Sequence, residues 1–277
     1  MTIDSHQHFW KYDPIRDAWI TDEMKIIQRD FLPKDLQPIL DENGIDGCVA
    51  VQADQSEEET LFLVNYANQH DFIKGVVGWV DLCSDRLNEQ LEHLTSFKKL
   101  KGFRHIVQTE PDVNFLLRED VVAGIKKLQR FNFTYDVLIY PKQLETAVAF
   151  VSKFPNQKFV IDHMAKPFIK TGQLDNWEKH MRALAAFDNV YCKVSGIVTE
   201  ADWRNWLPQH FMPYLDVVLD SFGTKKLMYG SDWPVCLVAA SYQQQINIVK
   251  QYISKLSASE QSDIMGDNAF HFYNLIL

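Results

Sequence analysis

Apolar, β-rich stretches recur along the chain with helical patterns between them. The stretches are TIDSHQHF (2–9), DGCVAVQA (46–53), IKGVVGWV (73–80), KGFRHIV (101–107), FTYDVLIY (133–140), KFVIDHM (158–164), VYCKVSG (190–196) and KLMYGSDW (226–233). Segments such as TLFLVNYANQH, DRLNEQLEHLTSF and PKQLETAVAFVSKF separate them with apolar residues at helical spacing. The last opens on Pro141, a first-turn position where the missing N–H costs no hydrogen bond. Eight strand-then-helix units in 277 residues predict an α/β fold, a (β/α)8 TIM barrel. A doubly wound sheet would more often stop at about five or six strands. No low-complexity linker divides the chain, so one domain over residues 1–277 is expected. SASEQSDIMGDNAFHFYNL, with Ser257 and Glu260 at capping-box spacing, predicts a closing helix. FWKYDPIRDAWITDEMKIIQRDFLPKD, after the first strand, is too long for a plain strand-to-helix turn and predicts a loop folded over the barrel mouth.

Composition narrows the partners. With 46% hydrophobic residues the chain has material for a large core, and 37 acidic against 28 basic side chains leave a formal charge of −9. No lysine or arginine block relieves that charge, which argues against nucleic acid and against an anionic membrane surface. No apolar run has membrane-spanning length and the first residues lack a signal-peptide pattern, so a cytoplasmic protein is expected. Cys48, Cys83, Cys192 and Cys236 show no CxxC spacing and read as reduced packing residues. The sequence leaves the oligomeric state open and is compatible with a homo-oligomer.

In a (β/α)8 barrel the chemistry sits at the carboxyl ends of the strands. His6 and His8, two apart at the end of the first stretch, share one face and can converge on a single ion. His163 closes the sixth stretch and Asp232 the eighth, making a donor set of three imidazoles and one carboxylate suited to Zn²⁺ or a similar divalent ion. Asp232 can also serve as general base. Arg104 and His105 end the fourth stretch as candidate catalytic cations; being adjacent they point to opposite faces of a regular strand, and the sequence leaves open which enters the pocket. Asp136 and Tyr140 share parity on the fifth stretch and, with Gln52, Trp79 and Trp233 near other strand ends, are candidates to bind a substrate's hydroxyls or apolar face.

The paired histidines of the first stretch, the histidine of IDHMAKP and the aspartate of GSDWPV resemble the amidohydrolase superfamily, amidohydrolase-2 type. FRHIVQTEPD, YDVLIYPKQL and NAFHFYNL look like its sugar-lactonase branch, the L-fuconolactonase and L-rhamnonolactonase kind, and the resemblance runs from Asp4 to Tyr273. It implies a metal-assisted or metal-independent hydrolase of carbohydrate metabolism, opening a sugar lactone to its aldonic acid with Asp232 as base. The metal positions it implies are His6, His8, His163 and Asp232. The bridging lysine or glutamate of binuclear members, and the histidine that follows it, are not evident, so at most one divalent ion is expected, zinc first, in a branch where it is weakly held or dispensable. The alternatives are a nonoxidative decarboxylase or aromatic-dicarboxylate lactonase on the same barrel, or a noncatalytic sugar-binding barrel.

Overall fold

The computed structural model describes residues 1–276. The eight apolar stretches form parallel strands in chain order: β1 (Ile3–Gln7), β2 (Gly47–Val51), β3 (Ile73–Gly78), β4 (Leu100–His105), β5 (Thr134–Val137), β6 (Phe159–Ile161), β7 (Val190–Val194) and β8 (Leu227–Tyr229). The helices between them are α1 (Pro33–Asn43), α2 (Glu57–Gln69), α3 (Leu87–Leu94), α4 (Glu119–Arg130), α5 (Leu144–Val151), α6 (Asp175–Ala185) and α7 (Met212–Phe222), with α8 (Tyr242–Ile253) after β8. This is the expected (β/α)8 barrel. The strands are shorter than the apolar stretches, because the ends of those stretches leave the ladder to build the mouth. His163, Asp232 and Tyr140 therefore lie beyond β6, β8 and β5.

The first and last strands close the barrel through a few specific bonds. Asp232 N donates to His6 O at 2.8 Å and His8 N donates to Trp233 O at 2.7 Å. Lower on the seam, Ser5 Oγ donates to Tyr229 O and Ser231 N to Asp4 Oδ1. At the opposite end, Ile3, Val49, Val51, Val77, Val160 and Met228 cluster with Phe272, Tyr273 and Leu275 of the C-terminal segment, which fills the bottom of the barrel. The capping box at Ser257 and Glu260 is formed; the segment continues as two short helices separated by one π turn (Asp263–Asp267). The other large core lies between strands and helices, the apolar layer that a fully enclosed parallel sheet requires.

The long segment after β1 is ordered by a backbone pair between Trp10 and Phe31, with N–H to O distances of 3.0 and 2.9 Å. It carries Arg16 and Trp19 to the mouth of the barrel. Cys48, Cys192 and Cys236 are buried and Cys83 is exposed, and all four are free thiols. Among the described residues, no helix is long and apolar enough to cross a membrane.

Candidate active site

A cavity of about 330 Å³ opens at the carboxyl ends of the strands, with His8, Arg104, His163, Lys166 and Asp232 in its walls. Asp232 is its focus. Oδ1 of Asp232 lies 3.4 Å from His8 Nε2, 3.8 Å from His163 Nε2 and 4.0 Å from His6 Nε2. The backbones that present Asp232 and His163 are unusual, with φ of 58° and 51°. Left-handed conformations of this kind are costly for residues with a Cβ and persist where the surrounding structure enforces them. Gly196, at φ 60°, makes room: a Cβ there would come within 2.6 Å of His163 Nδ1 and 3.2 Å of Asp232 Oδ2.

The His8 tautomer follows from its partner. His8 Nδ1 donates to the Val51 carbonyl at 2.7 Å, so Nε2 presents its lone pair toward Asp232. His6 Nε2 accepts from Arg104 Nη1 at 3.2 Å, and its Nδ1 lies between Asp162 Oδ1 at 3.3 Å and Lys193 Nζ at 3.2 Å. His163 Nδ1 meets Ser195 Oγ at 2.9 Å. Burial holds the His6 imidazole well below its usual pKa; Asp162 opposes that shift, while Lys193 and Arg104 add to it. Burial does the same to His163 against the attraction of Asp232. Both rings are neutral near pH 7. Burial pushes the Asp232 carboxyl up, but the neighbouring His163 and His8 imidazoles and the Lys166 ammonium outweigh it, so the group sits below its ordinary range and is ionised.

Beneath these groups lies a layer of buried charge. Lys193 of β7 contacts Asp136 Oδ2 of β5 and Asp162 Oδ1, the latter at 3.1 Å. Tyr273 of the C-terminal segment donates to Asp136 Oδ2 at 2.8 Å, and Arg104 donates to Asp162 Oδ2 at 3.0 Å. Two carboxylates and two cations balance, which is what makes burial of four formal charges tolerable. The network runs from the C-terminal segment up to His6.

The donor set fits one divalent ion. His8 and His163 have Nδ1 held by Val51 O and Ser195 Oγ and turn Nε2 toward the ionised Asp232 carboxylate, groups that zinc takes, and tetrahedral zinc spaces its ligands roughly 3.3 Å apart. His6, His8 and Asp232 have ligand atoms within 4.8 Å of one another, as do His6, Asp162 and His163. Arg104 Nη1 and Lys193 Nζ each lie 3.2 Å from a His6 ring nitrogen, and their charges oppose additional cations beside that ring.

Of the residues singled out in the sequence, His6, His8, His163, Asp232 and Arg104 come together. The others lie elsewhere. His105 points away from the cavity: its Nε2 pairs with Glu110 Oε1 at 2.6 Å, its Nδ1 accepts from Trp79 Nε1 at 3.3 Å, and its ring stacks on Phe115. Adjacent strand residues face opposite ways, so Arg104 entering the barrel sends His105 and its partner Trp79 outward. Trp233 is 1% exposed and packs edge-on against Phe9 and Phe31, as core. Gln52 is buried and clamps Arg104, donating to its carbonyl at 3.1 Å and accepting from its Nη2 at 3.2 Å. Asp136 is consumed by Lys193 and Tyr273, and Tyr140 stands at the surface beside Lys166. Sequence reasoning missed Asp162, Lys193 and Lys166, and the aromatic wall that the long loop supplies through Trp19. Lys193 had a signal, a lone charge inside the apolar VYCKVSG; so did Lys166, in the HMAKP run that also carries His163.

Comparison with known proteins agrees with this geometry. The family model described as amidohydrolase matches residues 3–275. The chain is 40% identical to an L-fucono-1,5-lactonase of Burkholderia multivorans, covering 99% of this chain and 96% of that protein. It is 34% identical to an L-fucono-1,5-lactonase of Burkholderia ambifaria, covering 99% and 95%. A crystal structure of an amidohydrolase from Burkholderia multivorans with bound zinc superposes with a TM-score of 0.96 at 40% identity over 100% of both chains.

Proposed function

The chain belongs to the amidohydrolase family, and from that premise we propose that it is a lactonase opening a sugar lactone of the L-fucono-1,5-lactone kind to its aldonic acid, with Asp232 as general base. The observation that carries the reading is the ionised Asp232 carboxylate held in the cavity beside three imidazoles.

Asp232 takes a proton from water, whose oxygen attacks the lactone carbonyl carbon. The carbonyl electron pair moves to oxygen and a tetrahedral oxyanion forms. As the carbonyl re-forms, the bond to the ring oxygen breaks, and Asp232 returns its proton to the departing alkoxide. An alkoxide leaves more readily than an amine, so no covalent nucleophile is needed. His6, His8, His163 and Asp232 would hold one divalent ion, and such an ion supplies Lewis acidity that polarises the carbonyl and acidifies water.

A neutral substrate suits the cavity's cations. The four Nη hydrogens of Arg104 go to His6, Asp162 and Gln52, and Arg16 is paired with Asp17. A substrate with several carboxylates would need free guanidinium groups, which favours the sugar lactone over an aromatic dicarboxylate. A pH-indicator assay on freshly prepared aldonolactones tests the reading: acid release is expected for L-fucono-1,5-lactone, and none on any aldonolactone would refute it.

A further inference from the structure

Whichever way the carbonyl is polarised, negative charge accumulates on its oxygen, and the structure limits which side chain can meet it. His8 Nδ1 donates to the Val51 carbonyl, so its Nε2 carries a lone pair, and His6 Nε2 accepts from Arg104 Nη1. Neither donates to an oxyanion. Arg104 has its four Nη hydrogens engaged by protein acceptors, and its Nε is buried without a partner. Arg16 grips Asp17 through two bonds and is 40% exposed on the long loop.

Lys166 differs from all of these, and from the neutral His163 ring whose Nδ1 meets Ser195 Oγ, in bringing a positive charge to the cavity wall. It lines the cavity, and its side chain is only 16% exposed. One hydrogen goes to Glu200 Oε1 at 3.1 Å, the one hydrogen-bond acceptor it has among the described residues, which leaves two N–H donors. The backbone is built to aim it. Residues 163–166 run through four consecutive left-handed conformations, with φ of 51°, 52°, 55° and 50°, none of them glycine. Such a turn sets residues three apart on one face, so His163 and Lys166 both enter the cavity. Trp177 Nε1 holds the turn by donating to Met164 O at 2.7 Å. Four strained residues in a row call for a compensating function.

We propose that Lys166 is a catalytic residue of this reaction, its ammonium donating a hydrogen bond to the lactone carbonyl oxygen as the tetrahedral oxyanion forms. The inference rests on the lactonase reading above. Lys166 keeps its proton throughout, while Glu200 orients it and offsets its charge in the unliganded cavity.

The test compares wild type, Lys166→Met, Lys166→Arg and Lys166→Ala on the aldonolactone that the wild type opens fastest, with melting temperatures measured alongside. Lys166→Met is expected to lower kcat by about 10²–10³, the range for loss of one oxyanion donor, with KM little changed. Lys166→Arg is expected to keep much of the rate, and added ethylammonium is expected to restore part of the rate of Lys166→Ala, which a purely structural lysine would not allow. A kcat for Lys166→Met within about twofold of wild type overturns the proposal, as does a loss that neither arginine nor ethylammonium relieves. A wild-type enzyme inactive on every aldonolactone overturns the lactonase reading and this proposal with it, a pattern distinct from an active wild type with an indifferent Lys166.

Discussion

Asp232 and His6 meet twice: the Asp232 amide donates to the His6 carbonyl at 2.8 Å, and the Asp232 carboxylate lies 4.0 Å from His6 Nε2. The seam that closes the barrel is therefore also the floor of the site. Asp232→Asn leaves the backbone bond in place, and asparagine tolerates the left-handed conformation. The variant is expected to fold with a near-native melting temperature and lose about 10²–10⁴ in kcat on an aldonolactone. Normal turnover would remove Asp232 as base.

The donor set around Asp232 gives a quantitative expectation for metal. Elemental analysis of protein purified with zinc supplied should find no more than one ion per chain. His8→Ala removes a candidate ligand whose orientation is fixed by Val51 and should lower that content. Two ions per chain would contradict the flanking of His6 by Arg104 and Lys193.

Lys193 is wholly buried between Asp136 and Asp162. Lys193→Met leaves two buried carboxylates with one fewer cation, and urea denaturation should show a loss of about 3–5 kcal/mol. Adding Asp136→Asn restores the charge balance. The double variant should be less destabilised than the sum of the two single ones.

Glu59 fixes the wall of the cavity formed by the loop after β2: its carboxylate accepts from Ala53 N at 2.8 Å and from Asp54 N. Burial raises its pKa from 4.5 to about 7, against the pull of those two amides and of Arg16. The folded chain thus holds a proton that the unfolded chain releases, so this group's contribution is fully present below 4.5 and is lost as pH rises through about 7. Glu59→Gln carries no such dependence. Relative to wild type it should gain stability between pH 5 and pH 8, read from urea denaturation at both; a constant difference would refute the linkage.

Trp19 is 43% exposed, packed edge-on against Trp10, and lines the cavity. An exposed indole at the cavity wall can stack on the apolar C–H side of a sugar ring. Trp19→Ala is expected to raise KM several-fold, about 1 kcal/mol of binding, with kcat nearly kept, and Trp19→Phe to recover most of it. An unchanged KM for Trp19→Ala would exclude the contact.

The sequence by itself determined the barrel and half of the site. Eight apolar stretches separated by helical ones leave few other ways to bury so many strands, and strand-end position together with side-chain chemistry picked out His6, His8, His163 and Asp232, with Arg104 and His105 as an undecided pair. Only the tertiary structure decided the rest. Which of Arg104 and His105 turns inward depends on the phase of β4 against its neighbours, set by ladder register rather than by either residue. Trp79 and Trp233, plausible sugar platforms by position, are outward or core because their rings find His105, Phe9 and Phe31 there. Asp136, Asp162 and Lys193 become one charge-balanced layer only when strands 26 or more residues apart are brought side by side. Lys166 enters the cavity through a left-handed turn that local propensity disfavours and that the packed fold enforces.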